Sequence, residues 1–164
     1  AILVCGINMH AFYIWLMFAI LIFAPGPVAF AAEDQTSSVI LCLHLVPAIA
    51  VRIVDGDTFN VHAQMWAHQL WEGSVRIRGI NAPERHSKCQ EEKEAAVKAT
   101  AALAELLPIG KAILLCNPEE DPYPGRIVAT VLLPSGKTVS SLLLDLGVVR
   151  LYDGKKKRPP WCGP

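Results

Sequence analysis

The stretch VRIVDGDTFNVHA, residues 51–63, decides how the chain folds. Val51 and Ile53, then Phe59 and Val61, alternate with polar residues on either side of Asp55-Gly56-Asp57-Thr58. Apolar residues at every second position mark a strand with one buried face, and Asp and Gly are the residues of a tight turn. The reading is strand, turn, strand. Ahead of it, VILCLHLVPAIA (39–50) is apolar and broken by Pro47, as either a first strand or a loosely packed lead-in. Behind it, VRIRGI (75–80) alternates strictly, with Val75 and Ile77 on one face, Arg76 and Arg78 on the other, and Gly79 bending the chain.

The period then changes. Ala96, Ala99, Leu103 and Leu106 recur at three- and four-residue steps between Glu and Lys, predicting an amphipathic helix over 89–107 that Pro108 and Gly110 end. Strands are expected near 111–116 and 126–133, a turn at Pro134-Ser135-Gly136-Lys137, and a second helix from Ser140 to Leu146 closed by Gly147. Short strands, one central helix and turn-rich joints make a mainly β (α+β) chain, a small closed barrel with helices packed on it.

With 164 residues there is room for one such domain. The 52% hydrophobic content is concentrated at the N-terminus. AFYIWLMFAILIFA (11–24) is uncharged and shorter than the roughly 20 residues of a membrane span. Pro25-Gly26-Pro27 and then Ala29-Phe30-Ala31 follow, so residues 1–31 are expected to be a signal peptide cleaved after Ala31. No Lys or Arg precedes the run; the competing expectation is an uncleaved anchor. Residues 32–50 would then lead into a domain over 51–164, exported to the periplasm or beyond, without stable membrane association and monomeric. Export makes disulfides plausible among Cys42, Cys89, Cys116 and Cys162. Four cysteines allow three full pairings, and sequence does not choose among them. A Cys89–Cys162 bridge, tying the C-terminal tail to the body, is preferred, and the lack of paired C-x-x-C spacing argues against structural zinc.

Fifteen basic residues balance fifteen acidic ones. A neutral chain does not hold DNA along many phosphates; acting on nucleic acid, it would grip one or two locally. The one basic run, Lys155-Lys156-Lys157-Arg158, reads either as a rim contact or as a solvated loop.

Three segments stand out together: IVDGDTFNV (53–61), VRIRGINAPE (75–84) and DPYPGRIVA (121–129). In order and spacing they resemble the signature blocks of the staphylococcal nuclease, or thermonuclease, family, and the ending YDGKKKRPPWC is similar to that of exported bacterial members. The resemblance runs from Val51 to Cys162. It implies an OB-type five-stranded barrel with about three packed helices, and a Ca2+-dependent endonuclease cutting DNA and RNA, single-stranded or frayed, to 3′-phosphates. It further implies that Asp57 is the first calcium carboxylate, Asn81 stands in the place of a second, and Ala82 supplies a backbone carbonyl. Arg76 and Arg126 would bind the phosphate, Glu84 would be the general base, and Tyr123 would lie near the substrate phosphate.

The chemistry asks for these residue types on its own account. A phosphodiester is an anion that repels hydroxide, so its charge must first be neutralised. A hard cation on oxygen ligands does this, and an arginine fork matches two phosphate oxygens at once. A carboxylate beside them takes the proton of the attacking water. Taken singly, each residue has a plainer account: Asp55 and Asp57 as turn formers, Arg76 as a solvent-facing strand residue, Glu84 as a helix cap after Pro83. Their joint occurrence in one order favours the functional account.

Asn81 departs from the family pattern and predicts weaker calcium binding, with Asp55 as nearby support. Pro122 and Pro124 stiffen the loop before Arg126, where exported relatives often carry Lys and Gly. Trp66 and Trp71 read as packing residues before base-stacking ones, and no histidine pair has zinc spacing. The alternative function is a nucleic-acid-binding module whose catalysis is weakened. A role in exopolysaccharide production would rest on the gene neighbourhoods of relatives and on no residue of this chain.

Overall fold

The computed structural model describes residues 41–155, 158 and 160–162. The segment expected to be a signal peptide, 1–31, lies outside the described residues. Five strands close into a barrel in the order β1-β2-β3-β6-β5, with β5 returning to β1. They are β1 (Leu45–Ile53), β2 (Thr58–Trp66), β3 (Gln69–Ile77), β5 (Ala112–Glu120) and β6 (Arg126–Leu132). All neighbours are antiparallel except β3 and β6, which run parallel. β4 (Ile80–Asn81) and β7 (Arg150–Leu151) form a separate antiparallel ribbon. Helices α1 (Gln90–Leu106) and α2 (Val139–Asp145) pack on the barrel.

The hairpin expected around Asp55–Thr58 is present, its turn closed by the Val54 and Asp55 N–H groups donating to the Thr58 carbonyl. Residues 45–50 belong to β1, so part of the apolar stretch ahead of the hairpin is a strand. Asn117, at φ 49°, breaks the β1–β5 edge; its side chain takes the Leu43 and His44 N–H groups and donates to the Leu41 carbonyl. The core is the set of inward residues that alternation demands. Phe59, Val61, Val75, Ile77, Leu115, Ala129 and Val131 are all essentially inaccessible, sealed by Ala99 and Leu103 of α1 and by Val139 and Leu143 of α2.

α1 begins where Cys89 accepts the Glu92 N–H and where Glu91 and Glu92 meet the positive end of the helix dipole. It ends at Leu107; Gly110, at φ 84°, then donates its N–H to the Ala50 carbonyl of β1. α2 begins where the Thr138 hydroxyl accepts the Ser141 N–H. Two helices are present among the described residues, against the expected three or so. After α2 the chain passes through Gly147 into β7, and Gly154, Pro159 and Pro160 leave the tail no uninterrupted helix-forming run.

Two disulfides join Cys42 to Cys116 and Cys89 to Cys162. The first pins the lead into β1 onto β5. The second is the preferred pairing, and it ties the C-terminal tail to the N-cap of α1.

Candidate functional site

The β2–β3 register places Arg76 opposite Thr58, one residue beyond Asp57. Arg76 Nη1 lies 2.9 Å from Asp57 Oδ1, and Arg76 Nη2 donates to Asn81 Oδ1 at 3.3 Å. Asp57 is buried, and both its oxygens are engaged: Oδ1 also accepts the Thr58 hydroxyl at 2.9 Å, and Oδ2 accepts the Ala82 N–H at 2.8 Å. Asp55 holds the turn by accepting the Asp57 N–H at 3.1 Å. Burial raises the Asp57 pKa; Arg76 opposes that, the Asp55 carboxylate adds to it, and the bonds from Ala82 and Thr58 oppose it. The expected metal-site residues Asp57, Asn81 and Ala82 are therefore brought together, with Arg76 bridging the first two.

The parallel β3–β6 register sets Ser74 beside Arg126 and Arg76 beside Val128, so Arg76 and Arg126 project from the same face of the barrel. They line one cleft of about 510 Å³ together with Tyr123, Asp121, Tyr152 and Arg158. The turn ahead of β6 fixes Arg126. Gly125 takes φ 75°, and Asp121 Oδ1 accepts from both the Tyr123 N–H at 3.0 Å and Arg126 Nη2 at 2.9 Å. The Arg126 guanidinium lies over the Tyr123 ring, 4.3 Å from its centroid. Asp121 is partly desolvated, which raises its pKa, but the bonds from Arg126 and Tyr123 and the nearby charges of Arg126 and Arg76 outweigh that and hold it below the usual value. Arg126 Nε is buried with no hydrogen-bond partner among the described residues.

Glu84 follows Pro83 in the loop between β4 and α1, its side chain more than half exposed. It does not cap a helix: Cys89 does, and the Glu84 N–H donates to Glu92 Oε1 at 3.1 Å. Its carboxylate is paired with the Arg158 guanidinium. Arg78 also borders the cleft but is committed to the barrel by bonds to Glu119 Oε2 and to the Asn117 and Val128 carbonyls. Trp71 packs against the core and over Gly73, whereas Trp66 is exposed at the tip of the β2–β3 hairpin.

Sequence reasoning missed Asp121 and Thr58, which orient the charged pairs, and left Arg158 in a basic run read either as a rim contact or as a solvated loop. The acid five residues ahead of Arg126 was a readable signal for Asp121. Nothing local points to the contact of Arg158 with Glu84, because 74 positions separate them.

A closed, mixed five-stranded OB-type barrel bearing two fixed arginines on one cleft is the frame of a nuclease-fold protein. Residues 74–160 match the family described as staphylococcal nuclease homologue, and the chain belongs to that family. No curated protein matches the chain. The matched span starts after Asp57, so it is the β2–β3 register that brings the DGDT turn to the remaining site residues.

The family typically uses Ca2+. Asp57 and Asn81 offer oxygen donors close enough to share one guanidinium, and Ala82 adds a backbone carbonyl; hard oxygen donors of this kind suit calcium. The set carries one negative charge, and a cation bound there competes with Arg76 for the same oxygens. The other grouping of metal-type side chains among the described residues, Cys89, Glu92 and Cys162, has both its sulfurs in a disulfide.

Proposed function

We propose that the protein is an exported, calcium-dependent phosphodiesterase that hydrolyses DNA and RNA strands to 3′-phosphate products. The observation that carries this reading is the cleft shared by Arg76 and Arg126, each anchored by its own buried carboxylate. A guanidinium held by Asp57 and Asn81, as Arg76 is, or by Asp121, as Arg126 is, keeps its position on the cleft for an incoming anion. That preorganisation makes such donors worth more to a transition state gathering charge than to the substrate. Tyr123 supports Arg126 from beneath and borders the substrate path.

Asp57, Asn81 and Ala82 would hold the ion, which when bound supplies charge neutralisation and polarises the phosphoryl oxygen. Glu84 accepts a proton from the attacking water. Arg76 and Arg126 hold the phosphate in line with that water. Neutral overall charge fits a local grip on one or two phosphates, with a single-stranded or frayed end fed into the cleft.

The test is hydrolysis of single-stranded DNA by the chain from Ala32, with millimolar calcium or with EDTA, beside Glu84→Gln. Cutting that EDTA abolishes and Glu84→Gln cuts by about a hundredfold or more supports the assignment of the base. A folded wild type that binds the strand but cuts at no calcium concentration makes the protein a binding module instead. The full engagement of Asp57 by Arg76, Thr58 and Ala82 is the feature that favours this second reading.

A further inference from the structure

We infer that Arg158 is a third phosphate-binding arginine of the cleft, parked on Glu84 when no strand is present and transferred to a neighbouring backbone phosphate when one enters. The inference rests on the nuclease reading above and adds a specificity-determining residue to it.

Arg158 does not sit on a loose tail. Ahead of it, β7 pairs with β4, Arg150 against Asn81 and Leu151 against Ile80, and the Tyr152 N–H donates to the Gly79 carbonyl at 2.9 Å. Beyond it, Arg150 donates to the Pro160 carbonyl at 2.9 Å and stacks on the Trp161 ring at 4.1 Å. Cys162 is then bonded to Cys89, five positions after Glu84 in the chain. Described residues before and after Arg158 are thus anchored, and Arg158 itself meets Glu84.

The two cleft-lining arginines outside the Arg76–Arg126 pair differ in kind. Arg78 has three protein acceptors that stitch β3 to β5 and β6. Arg158 has the carboxylate of Glu84, and the two side chains are 43% and 58% exposed. An ion pair this exposed is weak and screened. A phosphate offers the same guanidinium a bidentate, charge-assisted pair. Exchange of partners is therefore favoured by an anion in the cleft. It also leaves the Glu84 carboxylate free to meet water at the moment a substrate is held.

Arg76 and Arg126 already address the scissile phosphate, so Arg158, on the tail wall of the same cleft, takes the next phosphate along the strand. The preferred substrate is a polynucleotide, and a dinucleotide with a single phosphodiester gains nothing from Arg158.

The experiment measures binding of a fluorescent single-stranded oligonucleotide of known sequence by anisotropy in EDTA, where no turnover occurs, using the disulfide-bonded protein. Arg158→Ala should weaken binding about tenfold, the loss of one charged hydrogen-bonded pair, and Arg158→Lys should recover part of it. Cys89→Ser/Cys162→Ser should reproduce the loss, and adding Arg158→Ala to that double variant should change nothing more. Glu84→Gln should tighten binding in the wild-type background and not in Arg158→Ala, because only the former has an arginine to release. With calcium, Arg158→Ala should raise KM for the oligonucleotide at nearly constant kcat and should not weaken cleavage of a one-phosphodiester dinucleotide. Arg158→Ala binding within twofold of wild type, or losing kcat instead of KM, overturns the inference and leaves the nuclease reading intact. A wild type that neither binds nor cuts the strand overturns both. Melting curves establish that each variant is folded; should the double cysteine variant not fold, the Ala and Lys variants decide.

Discussion

At Asn81 a neutral amide oxygen shares the Arg76 guanidinium with the Asp57 carboxylate, at 3.3 and 2.9 Å. Replacing that amide by a carboxylate adds the charge a hard cation lacks there. Asn81→Asp is expected to lower the calcium concentration for half-maximal activity by about tenfold or more, the effect of one added charged ligand; titration calorimetry reads the same change directly. An unchanged affinity would mean that Asn81 does not face the ion. The two buried acids of the site respond to pH in opposite senses. Burial raises the folded pKa of Asp57, so between the ordinary carboxylate value and its own it costs the folded state stability as pH rises. Asp121 is held low by Arg126 and the Tyr123 N–H. Its contribution is complete above about pH 4, the ordinary carboxylate value, and is lost as pH falls through its lowered folded pKa. Asp121→Asn should cost about 2 kcal/mol at neutral pH, as loss of a hydrogen-bonded charge partner does. Melting temperature plotted against pH should also fall less steeply at the acid end than in wild type.

Among the elements, the contact of α1 with the DGDT turn is the tightest constraint on the site. A Cβ built on Gly56 would lie 2.6 Å from the Ala99 Cβ and 2.8 Å from the Ala82 Cβ. Glycine is needed there for close approach, with the helix on one side and the residue after Asn81 on the other. Gly56→Ala should destabilise the protein by about 1–3 kcal/mol, as overpacking does, and should displace Asp57 from the Ala82 N–H. Chemical denaturation reads the first effect, and a rise in the calcium requirement the second. The elements themselves were largely legible. Alternation marked β2 but only the last three residues of β3, which starts at Gln69 and ends at Ile77 instead of running over 75–80; β6 lies where a strand was expected, and the three- and four-residue spacing of Ala96, Ala99 and Leu103 marked α1 to within a residue at each end. β4 and β7 were not legible, because a two-residue strand has no period to read. The same holds for Asn117, whose positive φ and cross-strand bonds depend on where β1 lies beside β5.

On the scale of the whole molecule, two disulfides close loops of 74 and 73 residues in a chain of zero formal net charge. In the chain-entropy account each adds about 4 kcal/mol by restricting the unfolded chain. Reduction should therefore lower the melting temperature sharply, as read by calorimetry with and without dithiothreitol. A cleft that engages two phosphates, the scissile one through Arg76 and Arg126 and the next through Arg158, predicts a shallow salt dependence. The plot of log affinity for single-stranded DNA against log salt should have a slope of about −1.4. A much steeper slope would indicate a wider basic footprint than the cleft.

Taken alone, the sequence determined the alternating strands, the amphipathic helix, the turn chemistry of DGDT and the grouping of Asp57, Arg76, Glu84 and Arg126 in an order that marks the family. These are local or sequential properties, fixed by side-chain period and residue type. Only the tertiary structure decided which cysteines pair, that Arg76 bridges Asp57 and Asn81, that Asp121 anchors Arg126, and that Arg158 meets Glu84. Most of those contacts join residues far apart in the chain, and all depend on strand register, barrel closure or loop geometry, which no window of sequence contains.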